Sequence, residues 1–274
     1  MEENCSSELS RSLWNENASV WIELNNSGNN YFRDLVTNPA FFSMLPDVKG
    51  KDGIDIGCGH GHNTRLVKRL CRNLVGIDYS DELIAYAKER ERNFPVGVEF
   101  RHGDATKLDF SDEQFDFATA FMSMIDICDY EKAFGEIFRV LKKGGFFQFS
   151  ILHPCFMERS FKEGIPAWIT DEKGLKAGKI ISEYTGGNTP HMIDWMVDGV
   201  GETVHQGKKF KTLLIKRTQS DWLNTMANSG FVLEEMVEPK AGTHDVARYP
   251  FLQGAEIVPR FQIIRCKKSV APSP

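Results

Sequence analysis

The 274-residue sequence has no apolar run approaching the roughly 20 residues needed to cross a bilayer. It opens on Met1-Glu2-Glu3-Asn4, acidic and polar, where an exported chain would carry an apolar leader. It lacks a positive excess: the formal net charge is −5, so a general attraction to nucleic-acid phosphates is not expected. The short basic pieces Lys142-Lys143 and Lys267-Lys268 read as solvated ends. Close cysteine pairs are also absent. The six cysteines, at 5, 58, 71, 128, 155 and 266, stand apart without a CxxC. That spacing argues against a thiolate zinc site and against a disulfide framework, and leaves most of them as small buried hydrophobes. The expectation is a cytoplasmic protein without a membrane span, nucleic-acid partner, bound metal or internal repeat, and with no assigned oligomeric state.

What the sequence does have is enough apolar material, 41%, for one sizeable core, and 26% charged residues for a soluble surface. Leu13, Trp14, Ala18, Trp21 and Ile22 recur at helical spacing, and Asn38-Pro39 opens a second short helix. From residue 53 the pattern alternates. Strands are expected at 53–56, 73–78, 98–100, 115–121 and 146–152, and helices at 63–71, after the Ser80 cap, and at 129–143. The last helix should close at Gly144-Gly145 by a left-handed cap. Between His153 and Arg217 the rhythm breaks, with strand-like pieces at 179–184 and 212–215, too long a stretch for a plain loop. A helix at 220–229 and strands at 231–237 and 260–266 resume it. The predicted fold class is α/β: a doubly wound, mostly parallel sheet with an antiparallel edge strand and an inserted cap. The predicted division is a helical lid segment at 1–47, a core at 48–153 and 218–268, the cap at 154–217 and a loose tail at 269–274.

The segment Asp55-Ile56-Gly57-Cys58-Gly59-His60-Gly61 falls between a strand and a helix, where glycines let backbone N–H groups approach a ligand. A GxGxG turn alone does not separate cofactors, because dinucleotide-binding folds use a similar turn. Three acids sharpen it. Asp78 ends the second strand, where a carboxylate accepts ribose hydroxyls. Asp104, in Gly103-Asp104-Ala105, can receive an adenine amine. Asp55 can face a ligand's ammonium group, whereas a dinucleotide's pyrophosphate would be repelled by it.

These residues, with Gly76-Ile77-Asp78-Tyr79-Ser80, resemble the class I S-adenosylmethionine-dependent methyltransferases of the type 11 or UbiE-like group. Glu136 to Gly145, Lys216 to Asn224, and Gly230-Phe231 through Glu238-Pro239 are also similar to that group's later segments. The resemblance implies S-adenosyl-L-methionine as cofactor, with S-adenosyl-L-homocysteine as product. It implies Gly57 and Gly59 beneath the methionyl part, Asp78 on the ribose and Tyr79 against the adenine. Asp104 and Ala105 would meet the adenine edge, and Phe121, Met122 and Ser123 would line the cofactor. Cys58 and Ser80 complete the expected contacts, with Tyr31 and Arg33 closing over them and Arg33 pairing with the cofactor's carboxylate.

The acceptor is expected to be a small molecule. Methyl transfer is an in-line displacement for which alignment supplies much of the acceleration, so a base is needed only for an acceptor that must lose a proton. His153, at the end of the fifth strand, is the first candidate, followed by His191, Asp194 and His205 in the cap. Phe156, Trp168 and Trp195 can wall an apolar acceptor pocket, with His191 beside them. Cys58-His60-His62 is better explained by the glycine turn than by a metal. Pro154-Cys155 follows the wrong strand for a cytosine methyltransferase, and the Asn/Asp-Pro-Pro-aromatic signature is absent after the fourth. Relatives often carry histidine where Lys216 stands, so their substrate is not carried over. Two other readings stay open: a nicotinamide oxidoreductase, and a non-catalytic cofactor-binding module.

Overall fold

The computed structural model describes residues 5–28, 30–156, 168–181, 184, 190–196 and 209–269. Helix α1 (Ser7–Asn26) is capped by the Ser6 hydroxyl, which accepts from the Leu9 N–H, and buries Leu13, Ala18 and Leu24. A π-helical turn, Phe32–Thr37, leads into α2 (Asn38–Met44), with Pro39 in its first turn. There follow β1 (Asp52–Ile56), α3 (His62–Lys68), β2 (Asn73–Asp78), α4 (Asp81–Asn93), β3 (Val98–His102), β4 (Phe115–Phe121), α5 (Tyr130–Val140) and β5 (Leu141–Leu152).

The described part of the stretch 154–217 holds two antiparallel pairs, β6 (Trp168–Thr170) with β7 (Lys176–Lys179) and β8 (Pro190–Met196) with β9 (Lys209–Ile215). The strand expected at 179–184 therefore ends where it was expected to begin. The chain closes with α6 (Gln219–Asn228), β10 (Phe231–Val237), α7 (Thr243–Arg248), α8 (Gln253–Ile257) and β11 (Phe261–Lys268). The tail expected from 269 lies, beyond its first residue, outside the described residues.

The main sheet has seven strands in the order β10-β11-β5-β4-β1-β2-β3. Strands β1 to β5 pair in parallel, and β11 runs antiparallel between β5 and β10 at one edge. The strand order reverses between β1 and β4, and open α/β sheets bind ligands at the carboxyl ends of the strands flanking such a switch point. On one face α5 buries Phe134, Ile137 and Val140 completely against Phe147 and Phe149 of β5. Burying each such side chain contributes about 1.5–3 kcal/mol, which is how a helical stripe fixes one face of the sheet.

Three expectations are corrected. The helix expected to reach Lys143 stops at Val140, because Leu141 is extended and pairs with Phe115 across the sheet. Gly144 still adopts φ +74°, but inside β5 rather than as a helix cap. Lys268 is not a solvated end: its ammonium is buried and donates to the carbonyls of Phe138 and Leu141 at 2.8 and 2.7 Å, satisfying the last turn of α5. Finally, Cys5 and Cys128 form a disulfide, with Cα atoms 5.6 Å apart. Tertiary folding brings together two residues whose separation in sequence gave no sign of pairing. Cys58 and Cys266 are buried thiols, as expected.

Candidate cofactor site

The β1–α3 turn needs glycine for two separate reasons. Gly57, Gly59 and Gly61 all have positive φ, +66°, +55° and +84°, a region that side chains disfavour. A Cβ on Gly57 would also stand 2.3 Å from the Ser123 Cβ. Ser123 is drawn that close because its hydroxyl donates to the Ile56 carbonyl at 2.5 Å. Backbone, not side chain, therefore faces the space between β1 and β4.

Asp78 locks this turn to the end of β2. One carboxylate oxygen accepts the Gly59 N–H at 2.7 Å and the other the Ser80 N–H at 2.9 Å. Burial nonetheless raises its pKa, the two N–H bonds opposing that rise. Ser80 then caps α4 through the Leu83 N–H. Asp55 is buried beneath the turn. Its two oxygens accept from Thr64 Oγ1 and Thr119 Oγ1 at 2.6 and 2.7 Å, and desolvation lifts its pKa to about 7. Asp104 accepts from the Thr106 N–H and hydroxyl, both at 2.8 Å, so it orders its own loop as well as facing the site.

Above these residues lies a cavity of about 340 Å³. Asp55, Gly57, Cys58, Gly59, Asp78, Tyr79, Asp104, Ala105, Phe121, Met122 and Ser123 all line it, as do Tyr31 and Arg33. Ser80, immediately behind Asp78, does not. Met122 holds φ +60°, its N–H donating to Ser150, a strained conformation at the mouth of β4. Tyr31 packs on Tyr249 and Phe251, with ring centroids 4.5 and 5.5 Å away. Arg33 pairs with Asp34 at 2.7 Å and donates to Asn25 Oδ1 at 2.5 Å.

The structure does not bring the expected acceptor residues to this cavity. His153 is buried away from it, with Nε2 2.7 Å from Glu238 Oε1 and Nδ1 accepting the Cys155 N–H. Both ring nitrogens are thus used in holding the end of β5, and Phe156 packs on that imidazole at 4.6 Å. The Trp168 ring has the ammonium groups of Lys176 and Lys179 each 4.6 Å from its centroid and lies close against Gly254. His191 is half-buried in β8 and also off the cavity. His205 and the side chains of Asp194 and Trp195 lie outside the described residues.

Several lining residues were not expected. Trp14, Trp21 and Asn25 come from α1, Asp126 from the turn after β4, Thr212 from β9, and Phe251, Arg260 and Phe261 from the last third of the chain. For the two tryptophans the helical spacing was a signal, and their rings meet edge to face at 5.4 Å. For the others sequence offered none, since no motif precedes or follows them.

Residues 54–149 match the family described as methyltransferase domain. The matched stretch runs from β1 almost to the end of β5 and includes the glycine turn, Asp78, Asp104 and the β4 loop. The chain is 34% identical over 100 residues to a demethylmenaquinone methyltransferase of Staphylococcus aureus, covering 35% of this chain and 41% of that one. It is 29% identical over 127 residues to a malonyl-[acyl-carrier protein] O-methyltransferase of Pectobacterium atrosepticum, covering 46% and 47%. The chain thus spans less than half the length of these curated relatives. Among solved structures, an S-adenosylmethionine dependent methyltransferase from Mesorhizobium loti superposes with a TM-score of 0.65 at 25% identity, over 84% of this chain and 96% of that one. The fold around the methyltransferase domain is that of class I S-adenosylmethionine-dependent methyltransferases. Among the described residues, no helix is long and apolar enough to cross a membrane.

Proposed function

We propose that this protein transfers a methyl group from S-adenosylmethionine to a small-molecule acceptor. The observation that carries the reading is the Asp78–Gly59 bond beside a Gly57 that has no room for a side chain. The residues present fit the group. Gly57 and Gly59 offer backbone to the methionyl portion, and Asp78 offers carboxylate oxygens to ribose hydroxyls. Tyr79 and Ala105 provide a flat apolar face for adenine, and Asp104 an acceptor for its amine. Tyr31, Arg33, Cys58, Phe121, Met122 and Ser123 complete the wall around it, Ser80 holds Asp78 from behind, and Arg33 is the cation closest in kind to what a carboxylate requires. When bound, the sulfonium supplies an electrophilic methyl carbon; the chain's part is to bind, align and exclude water. The malonyl and menaquinone names of the relatives support a small acceptor. The separation of His153 from the cavity supports a mechanism in which it holds β5 and takes no proton.

Calorimetric titration of S-adenosylhomocysteine against NAD tests this. S-adenosylhomocysteine should bind, NAD should not, and Asp78→Ala should weaken binding by about tenfold or more, as expected for losing hydrogen bonds to a charged group. NAD binding as tightly as S-adenosylhomocysteine would instead establish the oxidoreductase reading.

A further inference from the structure

Four carboxyl groups line the cavity, and three have their hydrogen bonds met by the protein. Asp55 is held by two threonine hydroxyls, Asp78 by two backbone N–H groups and Asp104 by Thr106. The fourth, Asp126, accepts no hydrogen bond and forms no ion pair among the described residues. Asp126 is half-buried, and its carboxyl is open to the cavity it lines, where a ligand's polar hydrogen can meet it.

The backbone around Asp126 is held firmly while the carboxyl is left free. Arg217 is buried and spends its guanidinium on the carbonyls of Met124, Ile127 and Cys128, at 3.1, 2.5 and 3.3 Å. The Ser10 hydroxyl donates to the Asp126 carbonyl at 3.1 Å. Arg217 attracts the carboxyl without reaching it, and burial wins, pushing the group up to about 8. A carboxyl in that range holds its proton at neutral pH, and its ionised form, populated as pH rises towards 8 and above, is a stronger base towards a weakly acidic hydroxyl than an ordinary aspartate.

Resting on the methyltransferase reading, we propose that Asp126 receives the hydroxyl proton of a phenol or enol acceptor seated in this cavity. The lining includes the aromatic rings of Trp14, Trp21, Phe251 and Phe261, beside polar side chains such as Asn25, His62 and Arg260. A neutral ring with one hydroxyl buries its apolar area against those rings and leaves a single polar hydrogen to satisfy. The hydroxyl oxygen forms the new bond to the methyl carbon as its proton passes to an Asp126 carboxylate oxygen. The electron pair of the broken carbon–sulfur bond stays on sulfur, and Asp126 returns the proton to water.

The test uses the full chain saturated with S-adenosylhomocysteine, titrated by fluorescence with 1-naphthol and with 1-methoxynaphthalene. The wild type should bind the naphthol at least about fivefold tighter than its methyl ether, the difference one hydrogen bond to a charged group makes. With S-adenosylhomocysteine kept at a concentration that saturates the variant, Asp126→Ala should bring the naphthol preference below about twofold. Equal or undetectable binding of the two probes by the wild type overturns the proposal without reference to any variant, as does a preference that survives Asp126→Ala. Failure of S-adenosylhomocysteine to bind the wild type is a separate result: it removes the methyltransferase reading and this proposal with it.

Discussion

The Asp78 carboxylate accepts the Gly59 N–H at 2.7 Å, joining the end of β2 to the glycine turn that follows β1. One side chain thereby fixes the spacing of the two loops between which the cofactor is proposed to lie. The parallel pairing of Asp55 with Gly76 and Ile56 with Ile77 sets those loops side by side, and the Cys58 N–H to Ile77 carbonyl bond of 2.8 Å continues the ladder into the turn. The site is therefore an extension of sheet register rather than a feature added to a loop.

Gly57→Ala and Gly50→Ala separate crowding from backbone strain. Both glycines have positive φ, but a Cβ at 50 meets nothing within 4 Å, while one at 57 collides with Ser123. We expect Gly50→Ala to cost about 1 kcal/mol from backbone conformation alone. Gly57→Ala should cost about 2–4 kcal/mol, adding overpacking, and should abolish S-adenosylhomocysteine binding. Urea midpoints of the two variants check this; equal midpoints would remove the crowding argument.

The Cys5–Cys128 bridge predicts a thiol count. Unfolded without reductant, the chain should show four titratable thiols of its six cysteines, and six after reduction. The bridge spans 123 residues, so in the chain-entropy account its loss should lower stability by about 3–5 kcal/mol. It also ties the start of α1 to the loop carrying Asp126, so reduction should expose the amides of 7–10 to faster hydrogen exchange. Six thiols without reductant would refute the pairing.

Stability should fall as pH rises from about 6.5 to about 8.5. Burial raises Asp55 to about 7 and Asp126 to about 8, both above the ordinary carboxyl value of 3.8. Across that window the folded chain holds protons on them that the unfolded chain has already lost, so each pH step favours unfolding. His60 and His62 act oppositely: burial lowers them to about 3 and about 4, so their effect grows as pH falls below the ordinary 6.5 and is flat above it. Between about pH 4 and 6.5 the two acids and the two histidines offset each other, so thermal midpoints of the ligand-free protein should be nearly level there and fall above 6.5, less steeply for Asp126→Ala. A midpoint that climbs through the window would contradict these shifts.

How much was legible in the sequence varied with the range of the interaction. The β1 and β2 strands, the Ser80 cap and the glycine turn are set by neighbours a few residues away, and all could be read directly. The end of α5 was misread because Gly144 carries a real local signal for a helix cap, which strand pairing of Leu141 with Phe115 overrides. His153 sat at the right end of a strand, but which way its ring turned depended on Glu238, far along the chain. The Cys5–Cys128 pairing and the approach of Asp126, Thr212 and Phe261 to one cavity had no local signature at all.

The sequence by itself determined the alternation of strands and helices, the positions where only glycine fits, and the acids at the end of β2 and just after β3. Each of these follows from backbone conformation or from periodicity over a few residues, which composition and spacing encode. Only the tertiary structure decided that Asp78 points back to Gly59, that Lys268 is buried and that His153 is turned away. It alone left the Asp126 carboxyl with no hydrogen bond or ion pair among the described residues. Those outcomes depend on which distant groups compete for each hydrogen bond, and that competition is settled when the sheet closes and the helices pack upon it.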